Sequence, residues 1–214
     1  MRDDLRLLKS LAGPFPAFDP DLTPDEPREL FSQWLRDAIA ADIKEPHAMV
    51  LSTVDENGMP DARVLILKNL DHRGWHFATT GEGPKGRQIA LNPSVSLTFY
   101  WSALGRQVRL RGVALQAETH ERDADFRARA TGAKAVALIG RQSDVMGSRH
   151  DLEDALRQQH RRLHEEPDLV ASGWALFIVM PHEVEFWQGN SDRRHDRLRY
   201  RREKAGWIKE QLWP

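Results

Sequence analysis

The stretch from Glu185 to Tyr200 reads Glu-Phe-Trp-Gln-Gly-Asn-Ser-Asp-Arg-Arg-His-Asp-Arg-Leu-Arg-Tyr. Its first residues form an aromatic, strand-like run, and the Gly-Asn-Ser-Asp segment that follows is typical of a turn. Behind the turn stand cations and one imidazole: Arg193, Arg194, His195, Arg197 and Arg199. A flat aromatic surface beside several cations suits a planar, anionic ligand. The same pattern also fits an edge hairpin with a solvated basic strand, so the rest of the chain must decide.

The composition narrows the class of protein. At 214 residues the chain is long enough for one domain with a real core, and its net charge of −1 does not favour nucleic-acid binding. It has no cysteine, which excludes disulfides, thiolate nucleophiles and cysteine metal sites. There is no apolar run of membrane-spanning length and no signal peptide core. We therefore expect a soluble, cytoplasmic protein without a membrane partner.

The first part of the chain predicts an arm and a helix. Residues 1–22 suggest a short amphipathic piece followed by an extended arm, and residues 23–214 a single domain. Thr23 can cap a helix in which Pro24 takes the first position and Glu26 completes a capping box. An apolar face then continues through Ile39 to about residue 43.

Strand patterns lie on both sides of a helical insertion. Before it, we predict a short helix over Pro84–Leu91 and strands over Ala48–Val54, Ala62–Leu67, Trp75–Thr79, Val95–Trp101 and Gln107–Leu115. The insertion comprises helices over Thr119–Arg129, Ala133–Ile139 and from Ser148 to about Glu165. Strands follow over Trp174–Val179, Val184–Trp187, Leu198–Arg201 and Trp207–Leu212. Because closure removes exposed sheet edges, the pattern predicts an α+β fold, mainly antiparallel β, with a closed sheet and peripheral helices.

Neither glycine-rich phosphate loop is present, so a nucleotide-like ligand would need side-chain cations. Arg63 and Lys68 enclose an aliphatic run, and five residues of regular strand would point them to opposite faces. They therefore serve two different groups or flank a bulge, unless they simply end a buried strand. Lys85, at the start of the short helix, is either a phosphate ligand or a surface lysine. His160 and His164 share a helix face but lack a neighbouring catalytic glutamate, and no metal site is predicted.

Taken in order, these residues resemble the pyridoxamine 5′-phosphate oxidase family of FMN enzymes, which have a split β-barrel fold. The resemblance runs from about Pro27 to the end of the chain. Its most specific part is the opening stretch, with Glu185-Phe-Trp-Gln-Gly189 followed by Arg193-x-His-Asp-Arg197. Supporting pieces are Glu45-Pro46-x-Ala48-Met49, Lys85-Gly86-Arg87, Asn92-Pro93, Tyr100-Trp101, Arg106-Gln107-Val108 and Gln142-Ser143.

The resemblance implies a role for each of these positions. FMN would contact Arg63, Val64, Leu65, Ile66, Leu67, Lys68, Thr79, Lys85, Gln107, Gln142, Ser143, Trp187 and Arg197. Substrate would contact Lys68, Arg129, Arg193 and His195, and the last two are the expected catalytic residues. The family implies a homodimer with FMN between the subunits. It also implies oxidation of pyridoxine or pyridoxamine 5′-phosphate to pyridoxal 5′-phosphate, with dioxygen as electron acceptor and release of hydrogen peroxide.

The chain departs from the family pattern at several positions. Asp125 and Ala133 stand where the family commonly has a tyrosine and a serine for the substrate phosphate, and a carboxylate repels a phosphate dianion. Ala78, Gly83 and Pro84 replace residues that usually precede the cofactor lysine, and Arg194 replaces a leucine. These departures, with the Pro14-Phe15-Pro16 arm, resemble the phenazine-biosynthesis branch. An FMN oxidase of another flat aromatic, dihydrophenazine-like substrate, or a non-catalytic flavin- or PLP-binding protein, therefore remains an alternative.

Overall fold

A computed structural model describes all residues from Met1 to Pro214. Six α-helices are present: α1 (Arg2–Leu7), α2 (Pro27–Ala40), α3 (Pro84–Leu91), α4 (Thr119–Arg127), α5 (Thr131–Ile139) and α6 (Arg149–Glu165). Eight strands accompany them: β1 (Ala48–Val54), β2 (Pro60–Asp71), β3 (Gly74–Thr80), β4 (Ser94–Trp101), β5 (Arg106–Gln116), β6 (Trp174–Gln188), β7 (Asp196–Glu203) and β8 (Gly206–Gln211). Short 3-10 helices cover Pro20–Leu22 and Ser102–Leu104.

The strands form one antiparallel sheet in the order β3-β2-β1-β4-β5-β6-β7-β8, and a further pairing of β3 with β6 closes it. The closed part is a barrel of six strands, from which β7 and β8 extend as a hairpin. Closure pairs the backbone groups that two edge strands would otherwise expose. The predicted fold class, a mainly antiparallel split barrel with peripheral helices, is confirmed.

β6 is one continuous strand of 15 residues, so the prediction of separate strands over 174–179 and 184–187 is wrong. Its first half pairs with β3 and its second half with β7, while β5 runs beside both halves. A proline inside a central strand is unusual, because it has no N–H to donate to a ladder. The structure accommodates Pro181 opposite Gly112, where the register with β5 shifts. The irregularity lets β6 leave the barrel without ending.

The barrel interior is filled by alternate residues of the strands, as the period of two requires. β4 buries Val95, Leu97 and Phe99, and β5 buries Val108 and Leu110. Helix α2 joins the same core through aromatic side chains. Phe31 makes an edge contact with Phe99 at 4.8 Å between ring centroids, and Trp34 does so with Phe186 at 5.2 Å.

Helix α2 begins at Pro27, so the predicted start at Thr23 and Pro24 is wrong. The Thr23 hydroxyl instead donates to the carbonyl of Pro20, which ends the preceding 3-10 helix. Pro27 then takes the first helical position, for which its fixed φ is suited. The helix ends at Ala40 and exposes Ile39, which the sequence assigned to the apolar face.

The helices α4 and α5 pack beside the start of β6 around a small second core of Phe126, Ala137, Ala171 and Trp174. Helix α4 stops at Arg127, two residues earlier than expected, and Arg129 therefore lies in the connection to α5. Helix α6 has the expected cap, in which Ser148 and Asp151 exchange side-chain and backbone hydrogen bonds. No helix is both long and apolar enough to cross a membrane.

The register between β5 and β6 shifts at Gly112 and Pro181, and we call this irregularity the bend of β6. The close approach of the two backbones there predicts a strict requirement for glycine at position 112. A Cβ there would lie 2.3 Å from the carbonyl oxygen of Met180 and 2.8 Å from the Cα of Pro181. Because backbone must move to accept it, Gly112→Ala should lower the free energy of unfolding by about 2–3 kcal/mol. The measurement is urea unfolding followed by tryptophan fluorescence.

Gly132→Ala is the matched control, because a Cβ at Gly132 meets nothing within 4 Å and the residue lies in helix α5. Its stability should be unchanged or higher by up to about 1 kcal/mol. Equal unfolding midpoints for Gly112→Ala and the wild-type chain would contradict the account of the bend.

Candidate functional site

A cavity of about 630 Å³ opens between β2, β3 and the helix α5. Among the residues predicted to bind cofactor or substrate, those that line it are Val64, Leu65, Ile66, Lys68, Thr79, Arg129 and Gln142. We call these seven residues the cavity group. Strand residues supply the apolar wall, and the connections around α5 supply Arg129 and Gln142.

A bulge in β2 directs Lys68 into this cavity. The register with β3 passes from Leu67 opposite Phe77 to Asn69 opposite His76, so Lys68 is the extra residue. The bulge that the spacing of Arg63 and Lys68 allowed is therefore present, and the two cations also have different surroundings, since only Lys68 lines the cavity. An extra residue bends the strand and redirects its side chain, which is how bulges commonly serve binding sites.

Arg63 lies outside the cavity and is held by neighbouring strands. Its guanidinium donates to Thr53 Oγ1 at 2.6 Å and also pairs with Asp61, two residues away on the same strand. Gln88 accepts a further hydrogen bond from Arg63 at 3.3 Å. No role was predicted for Asp61 or Gln88, although the two-residue spacing of Asp61 and Arg63 places them on one face of a strand.

Lys85 is buried at the first turn of α3, so it is not the surface lysine that the sequence left as an alternative. Its Nζ donates to Gln142 Oε1 at 2.6 Å, and the same oxygen accepts from Thr80 Oγ1 at 3.0 Å. Burial lowers the pKa of Lys85, and the charge of Arg63 lowers it further. Gly83 caps the helix, and a Cβ there would lie 2.8 Å from Gln142 Oε1, so the glycine leaves room for the Gln142 side chain to reach Lys85.

These features fit a phosphate. The free N–H groups at a helix N-terminus attract anions, and an ammonium beside them adds charge. Lys85, the first turn of α3 and Gln142 therefore make a seat, which we call the α3 seat. Gln142 belongs to both the seat and the cavity, so one ligand can occupy the two together.

The side chain of Asp125 pairs with Lys68, one of the two cations that line the cavity, and does not line the cavity itself. Its Oδ1 lies 3.2 Å from Lys68 Nζ, and its Oδ2 accepts a hydrogen bond from Trp174 Nε1 at 2.9 Å. The Arg129 guanidinium lies over the Trp174 ring, 4.2 Å from its centroid. Arg129 Nε is buried without a hydrogen-bond partner, and burial lowers the pKa of this guanidinium. A ligand oxygen at Arg129 would satisfy that orphaned donor.

Leu67 lies in the barrel core, whereas five other predicted residues gather where β5, β6 and β7 meet. We call Gln107, Trp187, Arg193, His195 and Arg197 the hairpin group. Trp187 pairs with Gln107 on one side and with Arg197 on the other. Trp187 and His195 have ring centroids 4.8 Å apart. The aromatic surface with adjacent cations that the sequence indicated is therefore present, rather than a fully solvated hairpin.

Within the hairpin group, the backbone fixes the imidazole and one arginine. His195 Nδ1 accepts a hydrogen bond from the N–H of Asn190 at 3.0 Å, which leaves the proton of the neutral ring on Nε2. Arg193 has a left-handed backbone with φ of 68°. Its Nη2 donates to Ser10 Oγ at 3.1 Å, which ties it to the N-terminal arm.

Arg197 is held by a buried carboxylate. Its Nε donates to Glu185 Oε1 at 2.9 Å, and its Nη1 donates to the carbonyl of Trp213 at 2.9 Å. The other Glu185 oxygen accepts from Arg109 at 2.6 Å. Glu185 belongs to the motif, but no role was predicted for it. Its position two residues before Trp187, on the same strand, was the available signal.

The two groups are separate within one protomer. Trp174, beside the cavity group, starts β6, whereas Trp187 lies near its other end. No hydrogen bond or ion pair joins a residue of the cavity group to one of the hairpin group. Ser143 follows Gln142 in an exposed connection, has φ of 69° and does not line the cavity.

The sequence matches known family models over most of its length. Residues 35–160 match the model described as pyridoxamine 5′-phosphate oxidase. Residues 174–214 match the model described as the pyridoxine 5′-phosphate oxidase C-terminal dimerisation region. The cavity group lies mainly in the first matched region, and most of the hairpin group lies in the second.

Curated relatives and solved structures agree with these matches. A pyridoxine/pyridoxamine 5′-phosphate oxidase of Pseudomonas paraeruginosa is 41% identical over 89% of this chain and 90% of its own. One of Rubrobacter xylanophilus is 42% identical over 92% of this chain and 88% of its own. PhzG from Burkholderia lata, solved with tetrahydrophenazine-1-carboxylic acid, is 32% identical, with a TM-score of 0.84 over 96% of this chain and 100% of that one.

The position of α4 beside the cavity predicts a dependence of stability on pH. Arg73, in the β2–β3 turn, donates to both carboxylate oxygens of Glu121 at 2.9 and 2.6 Å. These bonds lower the pKa of Glu121 from 4.5 to about 2. Because the folded state favours the charged carboxylate, this stabilisation is complete above about pH 4.5 and is lost as the pH falls toward 2.

Glu121→Gln should therefore destabilise the chain at pH 7 and reduce the loss of stability between pH 4.5 and 2. Glu153→Gln, on the exposed face of α6, is the control and should follow the wild-type profile. The measurement is urea unfolding at a series of pH values. A Glu121→Gln profile parallel to that of the wild-type chain would show that this contact does not anchor α4.

Proposed function

The chain belongs to the pyridoxamine 5′-phosphate oxidase family, and we propose that it is an FMN-dependent oxidase that converts pyridoxine or pyridoxamine 5′-phosphate to pyridoxal 5′-phosphate. The observation that carries the proposal is the α3 seat adjoining a cavity lined by Lys68 and Arg129. The α3 seat and the cavity offer two separate places for anionic groups, one for a cofactor phosphate and one for the substrate.

The α3 seat and the cavity wall have the chemistry that FMN requires. The buried Lys85 supplies a positive charge, and the first turn of α3 supplies N–H donors. Gly83 leaves room for the Gln142 side chain at that turn. The aliphatic residues of β2 offer an apolar wall to a ring system. When bound, FMN supplies the redox chemistry, accepting a hydride equivalent from the substrate and passing the electrons to dioxygen, which leaves as hydrogen peroxide.

The chain's own residues bind and orient the substrate. Lys68 and Arg129 attract its anionic end, and the aromatic surface of Trp187 and His195 suits a pyridine ring. His195 Nε2–H can donate to a ring substituent, because Nδ1 is already bonded to the backbone. Arg193 contributes a planar cation for a phenolate oxygen. With pyridoxamine phosphate, water must also replace the amine as ammonia, and the cavity opens to solvent to admit it.

A complete site needs two subunits in this proposal. The cavity group and the hairpin group lie toward different ends of β6, and the C-terminal match is to a dimerisation region. Large apolar side chains are exposed beside each group, including Val64 at 65% and Trp213 at 91%. We infer a homodimer in which the cavity group of one subunit faces the hairpin group of its partner, with FMN between them.

A second candidate function is oxidation of a dihydrophenazine-like substrate by the same flavin. It is supported by the similarity to PhzG and by Ala133, which lines the cavity without a hydroxyl. The two candidates share the fold and the cofactor and differ in the anionic end of the substrate, which is a phosphate in one and a carboxylate in the other.

Oxygen uptake by the FMN-loaded protein tests the proposed function. Pyridoxamine 5′-phosphate should yield hydrogen peroxide and pyridoxal phosphate in equal amounts. His195→Ala should keep the yellow flavin and lose most of this turnover, because it lies with the substrate rather than the cofactor. His164→Ala, on the exposed end of α6, is the matched control and should retain activity.

Uptake with a dihydrophenazine carboxylate alone would select the second candidate. A flavin that stays oxidised with every reductant under anaerobic conditions would indicate a non-catalytic flavin-binding protein. A protein that takes up no FMN would contradict all three functions.

Lys85→Met tests the α3 seat. Loss of one charge-assisted contact to a phosphate should weaken FMN binding on the order of tenfold to a hundredfold, with turnover at saturating FMN almost unchanged. Fluorescence titration of FMN measures the affinity. Lys204→Met, in the exposed β7–β8 turn, is the control, and equal FMN affinities for the two variants would place the phosphate elsewhere.

A further inference from the structure

The feature not explained by the proposed function is the carboxylate of Asp125. It is an unusual neighbour for an anion site, because it pairs with Lys68, one of the two cations that line the cavity. Only 13% of its side chain is exposed, so water screens it weakly. Asp125 does not itself line the cavity and acts through the residues that do.

Two contacts hold this carboxylate in its charged, acceptor-only role. The indole N–H of Trp174 donates to one oxygen at 2.9 Å, and Lys68 lies 3.2 Å from the other. Arg129 lies over the ring of the same indole. Burial lowers the pKa of its guanidinium, and the negative charge of Asp125 partly opposes that shift.

The charge at this end of the cavity is therefore lower than its cations suggest. Lys68 and Arg129 contribute two positive charges, and Asp125 removes one. A phosphate monoester carries about −1.5 to −2 charges at pH 7 and is only partly compensated by what remains. A carboxylate or another singly charged group is matched. Ala133 adds to the effect, since it offers no hydroxyl to a phosphate oxygen.

We propose that Asp125 is a specificity-determining residue, which weakens binding of a phosphate dianion at the Lys68–Arg129 end of the cavity and so favours substrates with a singly charged or neutral group there. The proposal rests on the proposed function in taking this cavity as the substrate site. It names the substrate class more narrowly, as flat aromatics for which a phosphate gives little advantage.

Asp125→Asn isolates the charge. The amide oxygen can still accept from Trp174, while the negative charge beside Lys68 is lost. We expect kcat/KM for pyridoxamine 5′-phosphate to rise on the order of tenfold, mainly through a lower KM, since a full charge is removed near the phosphate. The value for unphosphorylated pyridoxamine should stay within about twofold, because that ligand has no phosphate for the Asp125 carboxylate to repel.

Two further variants control this comparison. Asp125→Glu keeps the charge and should leave the phosphate preference near that of the wild-type chain. Asp123→Asn makes the same chemical change on the same helix, where the carboxylate pairs with Arg122 and Arg127 away from the cavity, and should also leave it unchanged. Asp125→Ser is a second neutral variant in case Asp125→Asn does not fold.

Binding of pyridoxal 5′-phosphate and of pyridoxal, measured by equilibrium dialysis against the FMN-loaded protein, separates this inference from the proposed function. If no variant turns over either amine, the proposed function fails, and the ratio of the two dissociation constants still decides the role of Asp125. The ratio is the dissociation constant of pyridoxal divided by that of pyridoxal 5′-phosphate, and a rise in this ratio in both neutral variants supports the inference. A ratio that is the same in the wild-type, Asp125→Asn and Asp125→Ser chains overturns it.

Discussion

The bend of β6 opposite Gly112 is the constraint on which the rest of the structure depends. Because the strand does not end at Pro181, its first half closes the barrel against β3 and its second half carries the β7–β8 hairpin. The same strand thus fixes Trp174 beside the cavity group and Trp187 within the hairpin group. Backbone pairing on both sides of each half makes these positions rigid, which a site built on loops would lack.

The cations that were predicted to bind ligands each have a different partner in the structure. Lys85 is buried beside Gln142, Arg63 is held by Asp61 and Thr53, and Arg197 is held by Glu185. A fixed cation loses little conformational entropy when an anion binds, so such pairs favour preorganised recognition. Lys68 is also paired with a carboxylate, but unlike the other three cations it lines the cavity, so Asp125 there competes directly with the anion that the cavity would bind. The balance of charge at that end of the cavity therefore distinguishes this chain from a generic phosphate site.

Local patterns predicted much of the fold. The helix over Pro84–Leu91 has the bounds that the sequence indicated, because a proline begins it and Asn92-Pro93 ends it. The extent of β6 could not be predicted, since the ladder partners that carry it past Pro181 are distant in sequence. The prediction of where α2 begins was wrong for a similar reason. Tyr200 Oη donates to the carbonyl of Pro24 at 2.7 Å, a tertiary contact in the segment that the sequence assigned to the helix.

The site shows the same division between local and distant information. The motif of the hairpin group is contiguous and was recognisable, whereas the pairing of Lys68 with Asp125 joins residues 57 positions apart, on a bulge and a helix. The bulge itself was one of two arrangements that the spacing allowed. Separation of the two groups along β6 could be seen only in the structure, and it leads to the central claim that each site combines two subunits.

Subunit complementation tests that claim most directly. Lys85→Met and Arg197→Met chains, each inactive at limiting FMN, are unfolded together and refolded as a mixture. If one subunit supplies the α3 seat and its partner supplies Arg197, half of the dimers are hybrids with one intact site, and about a quarter of the wild-type activity returns. If each subunit builds its own site, every site carries a defect, and a mixture as inactive as the separate variants would contradict the account.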